Sequence, residues 1–166
     1  MPLVDHDGRD GSVNLVWELG ADPITVWRHL TDVDRLPEWL GRRVEGGFVP
    51  WGTDLVVDHG DGQLSRSTIM GADEGQNLTM TWEFPDEPPS TVMFVLRAGS
   101  LYGQSDDGGT VLRLTHDDLG DLTATYLPGW ITHLTFFEAS LSGHPLPREM
   151  FWRLYETTEH LTALMT

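Results

Sequence analysis

Apolar and polar residues alternate in short runs over the first two thirds of the chain, then shift to a helical period near the carboxyl end. In GSVNLVWELG, Val13, Leu15, Trp17 and Leu19 alternate with Asn14 and Glu18, which predicts a first strand. The segment ADPITVWRHLTDVDRLPEWLG follows. Asp22 suits an N-cap and Pro23 the first helical position, so a short helix is expected through about Leu30. Thr31 or Asp32 can cap a second short helix that carries Leu36, Trp39 and Leu40 and ends at Gly41.

Glycine pairs, Asp-Gly dipeptides and proline breaks then separate short β-rich runs, with strands expected near 42–48, 53–59, 63–71, 77–84, 91–99 and 109–117. In NLTMTWEF, Leu78, Met80, Trp82 and Phe84 share one face, while Thr79, Thr81 and Glu83 share the other. That is the pattern of an antiparallel sheet with one wet face. Leu112, Leu114 and His116 likewise point one way in the last strand. STVMFVLRAG is apolar on both faces, and its outer face calls for a cover such as a second subunit.

Two helices complete the pattern. Trp130, Leu134, Phe137 and Leu141 fall on one helical stripe, stopped by Gly143. After GHPLP, Phe151, Leu154, Tyr155, Thr158 and Leu161 form a second stripe. A sheet with one apolar face needs a cover, and the Trp130 helix supplies one. Bulky aromatics at the rim can hold helix and sheet apart and leave a cavity.

Composition narrows the function. At 166 residues the chain is long enough for one domain, expected over 1–166, with a core at 12–143 and a helical extension at 144–166. No apolar run approaches the roughly 20 residues that span a bilayer, and MPLVDHDGRDGS lacks the basic and apolar regions of a secretory signal. The chain has no cysteine, which excludes disulfides and thiolate metal sites and fits a cytoplasmic protein. Twenty-six acidic residues against 10 basic ones give a formal charge of −16, which repels phosphate backbones and argues against nucleic-acid binding. Every basic residue is Arg, so no Schiff-base lysine can operate.

Several of these segments together resemble a known family. Ala21-Asp22-Pro23 through Val26-Trp27, Leu30-Thr31-Asp32 and Trp39-Leu40-Gly41 are similar to the opening signature of the activator of heat-shock-protein-90 ATPase homologue (AHSA) family, within the START-like or SRPBCC superfamily. Leu78 to Trp82, Gly109 to His116, and Gly129-Trp130 through His133-Leu134 match further motifs in the family's order. The resemblance implies an α+β helix-grip fold (START/Bet v-like). In that fold an antiparallel sheet of about seven strands wraps a long carboxy-terminal helix, with a cavity between them. Two short helices follow the first strand, and an extra helix ends the chain. The superfamily includes lipid and hormone binders, polyketide aromatase/cyclase domains and hydroxylase components. The co-chaperone's separate amino-terminal domain has no room here.

Side-chain chemistry gives candidates. His116, on the apolar face of its strand, and His133, beside the Trp130 stripe, can serve as acid or base or orient a polar ligand group. The alternative for each is a structural hydrogen bond. His59, His116, His133 and Asp117 have no metal-binding spacing, and no metal or other cofactor is expected. Arg66 and Arg97 can anchor an anionic ligand end or pair on the sheet surface. Trp39, Phe48, Trp51, Met80, Trp82, His116, Trp130, His133 and Phe137 are the expected ligand-binding residues, with Trp39 at the rim and Trp27 in the packing.

The leading expectation is a protein that binds an apolar or aromatic small molecule in this cavity. A second is a cyclase- or dehydratase-like enzyme using His116 or His133. A third is a protein-interaction or chaperone-regulator module, or a homodimer subunit.

Overall fold

A computed structural model describes residues 2–48, 52–101 and 108–165. Eight antiparallel strands form one sheet: β1 (Leu3–Asp7), β2 (Val13–Leu19), β3 (Arg42–Gly46), β4 (Asp54–Asp58), β5 (Leu64–Asp73), β6 (Asn77–Trp82), β7 (Ser90–Ala98) and β8 (Thr110–Asp117). Their spatial order is β1-β2-β8-β7-β6-β5-β4-β3, so the meander from β3 to β8 is closed by β2 returning beside β8. The helices are α1 (Pro23–Thr31), α2 (Leu36–Trp39), α3 (Thr123–Leu141) and α4 (Phe151–Leu164). Short 3-10 turns precede α3 and α4.

The sheet has one strand more than expected. LVDHD in β1 is acidic at two of five positions and shows no clean apolar face. It forms because it pairs with the edge of β2, where half-exposed backbone suffices. The other strands follow their alternation. Leu78, Met80 and Trp82 of β6 are buried, with Thr79 and Thr81 less so. In β7, Val92, Phe94 and Leu96 face inward, and Met93 and Arg97 stay exposed on the outer face. Among the described residues nothing covers that outer face at Met93 and Arg97.

Asp22 caps α1 as expected, its carboxylate accepting the amides of Ile24 and Thr25 at 3.1 and 3.0 Å. No side chain caps α2, contrary to expectation; Asp32 instead closes the preceding turn by accepting the Asp34 amide. Gly41 follows α2 where a Cβ would lie 2.6 Å from the Asp58 carbonyl, so only glycine lets this helix end against β4. Gly46, at φ +74°, ends β3 where a side chain would overlap the Asp54 carbonyl.

Helix α3 begins at Thr123, seven residues before the Trp130 stripe, and so takes in Pro128. Proline in a helix interior removes one N–H donor, yet α3 continues through it. Val26, Trp27 and Leu30 of α1, Leu36 and Trp39 of α2, and Trp130, Leu134 and Phe137 of α3 are buried in one core with the inner sheet face. Trp17 Nε1 donates to Glu138 on α3 at 2.9 Å, which fixes the helix over β2. Helix α4 packs on the opposite side of α3, where Phe136 and Phe151 have ring centroids 5.5 Å apart. Being covered on two sides, α3 is buried around more of its circumference than one apolar stripe requires.

Candidate functional site: an aromatic cavity between the sheet end and the helices

A cavity of about 380 Å³ opens where one end of the sheet parts from the amino-terminal half of α3. The β4–β5 turn contributes His59, Asp61 and Gln63. The end of β6 and the loop after it contribute Trp82, Phe84 and Glu87. Helix α3 presents Tyr126, Gly129, Trp130 and His133, and the carboxy-terminal segment closes the outside with Arg148, Phe151, Trp152 and Tyr155. Seven Phe, Trp and Tyr rings line the wall. Trp82 and Trp130 lie 5.1 Å apart at their centroids, His133 stands 4.7 Å from Phe151, and His59 packs 5.3 Å from Phe84.

The end of α2 orients one of the two cavity histidines. A helix end leaves carbonyls without partners. The Trp39 carbonyl accepts from His133 Nδ1 at 2.8 Å, while His59 Nε2 is hydrogen-bonded to Ser65 Oγ at 2.8 Å. Because a carbonyl only accepts, Nδ1 of His133 carries the proton and its Nε2 holds a free lone pair. Nε2 has no partner among the described residues. Burial holds His133 down to about 3, with the neighbouring His59 and Arg148 adding to the effect. His59 is held down to about 4, by burial first and the Arg148 charge second. Both imidazoles are neutral at physiological pH.

His116 lies one layer behind the cavity wall and is fully buried. Trp130 Nε1 donates to its Nδ1 at 2.9 Å, so its proton sits on Nε2 and is given to Ser90 Oγ at 2.7 Å. Ser90 Oγ in turn donates to the Trp82 carbonyl at 3.1 Å. The chain ties two cavity tryptophans to the sheet and uses both imidazole nitrogens. Burial holds His116 down to about 3. Tyr126 accepts from Trp82 Nε1 at 3.0 Å and donates to Glu87 in a short hydrogen bond. Burial and the Glu87 carboxylate push its phenol well above the usual range.

Of the residues expected at a ligand site, Trp82, Trp130 and His133 meet at this cavity. The structure places the others elsewhere. Trp39 is fully buried against Phe137, 5.1 Å away edge-to-face, so it reaches the cavity through its carbonyl and not its ring. Met80 and Phe137 lie in filled core, and Phe48 borders a second concavity beside Thr31 and Gly47. Trp51 lies outside the described residues. The physical reason is common to these residues. Strand parity and helical stripe identify which face is buried, but that face is closely packed except at one end.

His59, Phe84, Tyr126, Arg148, Phe151, Trp152 and Tyr155 were not expected at the site. Phe151 and Tyr155 were visible as a helical stripe, without any sign that the stripe would wall a cavity. Arg148, three residues before Phe151, has the spacing that sets a guanidinium on a ring. Arg66 pairs with Asp54 on the sheet surface at 2.9 Å, and Arg97 is exposed, so neither anchors anything in this cavity. Among the described residues no group of three or more metal-ligating side chains converges, and no helix is long and apolar enough to cross a membrane.

No family model and no curated protein sequence matches the chain. Solved structures do. CalU16 from Micromonospora echinospora superposes with a TM-score of 0.71 at 20% identity, over 98% of this chain and 95% of its own. DynU16, a protein in the dynemicin biosynthetic locus, gives 0.71 at 22% identity over 82% of this chain, which spans only 49% of that longer protein. The Aha1 dimer from Colwellia psychrerythraea gives 0.62 at 17% identity, over 78% of this chain and 95% of its own. At these identities the likeness is one of fold: an antiparallel sheet closed around a long carboxy-terminal helix, which this chain shares with those structures.

Proposed function

We propose that the chain binds an apolar or aromatic small molecule in the cavity between the sheet end, α3 and α4. The observation that carries this reading is the cavity itself: about 380 Å³, walled by Trp82, Phe84, Trp130, Phe151 and Trp152, with polar side chains such as His59, Glu87, His133 and Arg148 set among them. Ligand sites have this composition, because apolar walls supply affinity and a small number of polar atoms fix orientation. Each methylene-sized increment of ligand surface removed from water contributes about 0.8 kcal/mol. The neutral His133 imidazole offers its Nε2 lone pair, which suits it to accept a hydrogen bond from a ligand hydroxyl.

The same features bear on the enzymatic alternative. Both nitrogens of His116 are engaged, and a His133 held down to about 3 is a weak base at neutral pH. Binding therefore accounts for the site better than acid–base turnover does. The resemblance of the sequence to a superfamily that includes polyketide aromatase/cyclase domains supports aromatic, polyketide-like compounds as the first to try. Titration of the protein with such a panel should change the fluorescence of Trp82, Trp130 and Trp152 saturably. Absence of any saturable response across apolar and aromatic compounds would contradict the proposal.

A further inference from the structure

We infer that the cavity takes an apolar or aromatic ligand bearing one carboxylate, which the Arg148 guanidinium binds. This rests on the reading of the cavity as a ligand site and specifies the chemistry of what occupies it.

Arg148 lines the cavity wall, with its guanidinium carbon 5.2 Å from the Phe151 ring centroid and 5.9 Å from that of Phe136. The two rings fix the plane of the fork. Its Nη1 is buried and has no hydrogen-bond partner among the described residues. None of the ion pairs among those residues includes Arg148, although acidic residues outnumber basic ones by 26 to 10. Leaving a buried charged donor without a partner is unfavourable, and a planar fork held on aromatic faces is the geometry that binds carboxylates.

The other groups around the cavity leave that position open. Glu87 already accepts from Tyr126. Asp61 and Asp86 sit exposed at the mouth, where solvent screens them. His59 and His133 are neutral, so Arg148 is the one fixed cation among the described residues of the wall. A carboxylate there would meet a charge in a poorly solvated setting, where the pair interacts more strongly than at the surface.

A matched pair of probes tests this: 2-naphthoate and its neutral isostere 2-naphthamide, titrated at pH 7.5 into the full chain with tryptophan fluorescence as the readout. The wild type is expected to prefer naphthoate by about tenfold or more, the value of one charge-assisted hydrogen bond. In Arg148→Gln and Arg148→Leu that ratio should fall to near one. Without ligand, both variants should melt at or above the wild-type temperature, because each removes a buried donor that lacks a partner. Equal, saturable binding of the two probes to the wild type would overturn the carboxylate assignment and leave the cavity reading standing. A preference that survives in both variants would overturn the role of Arg148. Failure of both variants to fold would make the residue a structural clamp on Phe136 and Phe151, which also overturns it. If neither naphthyl probe nor decanoate and decanamide bind, the cavity reading falls and the inference with it.

Discussion

Acidification is the perturbation whose effect the structure predicts most sharply. Desolvation holds the partly buried His59, the fully buried His116 and the partly buried His133 neutral, down from 6.5 to about 4, 3 and 3. In the unfolded chain each regains its ordinary value. Above pH 6.5 neither state binds these protons, and the three groups leave stability independent of pH. Below pH 6.5 the unfolded chain takes them up and the folded protein does not, so stability falls as pH falls. At pH 5.0 each histidine contributes about 2 kcal/mol of destabilisation, and the three together about 6 kcal/mol. That rivals the whole stability of a typical domain, about 5–15 kcal/mol. Below pH 5.5 the slope approaches about 4 kcal/mol per pH unit until His59 itself begins to titrate near pH 4. The depressed carboxylates, among them Asp54 and Glu38, lose their contribution only at lower pH, from about their ordinary values of 3.8 and 4.5 downward. Relief of repulsion within the −16 chain opposes the trend, and moderate salt reduces that relief. Urea unfolding at 0.2 M salt between pH 7.5 and 5.0 measures the slope, and His59→Gln should reduce it by about one third. Stability that stays level across this range would refute the burial assigned to these imidazoles.

Other substitutions probe the remaining parts of the account. Trp130→Phe removes the donor to His116 Nδ1 and leaves a buried acceptor without a partner, which should cost about 1–3 kcal/mol by urea unfolding. Asp22→Ala removes the cap of α1 and should cost about 1 kcal/mol, with no change in ligand response. Trp152, 63% exposed yet part of the cavity wall, separates binding from stability. Trp152→Ala should leave unfolding within about 0.5 kcal/mol of wild type while weakening the binding of aromatic probes several-fold.

Much of the fold was legible in the sequence, and particular residues show why. Alternation in NLTMTW and TVLRLTH fixed the inward faces of β6 and β8, and Asp22-Pro23 marked the start of α1, because each signal is local. LVDHD escaped notice since an edge strand needs no apolar face; its formation depends on the exposed edge of β2, a long-range fact. The turns of α3 before Pro128 lay outside the Trp130 stripe for a related reason. Proline marks helix starts on average, but packing of α3 between the sheet and α4 carries the helix through it. The tryptophan surplus drew attention to Trp82 and Trp130, which line the cavity. It misplaced Trp39, because periodicity reports burial and cannot distinguish packed core from cavity wall. Arg148 and Phe151 were harder still. Their position depends on how the last helix docks on α3, and no local pattern encodes that.

The central claim is that the space between Trp82, Trp130 and Phe151 is a ligand site. A crystal structure of the full chain grown with 2-naphthoate tests it most directly. The account predicts the naphthyl rings among these aromatics, with the carboxylate on Arg148. A cavity closed by the Phe151 and Trp152 side chains, with naphthoate bound elsewhere or absent, would contradict it.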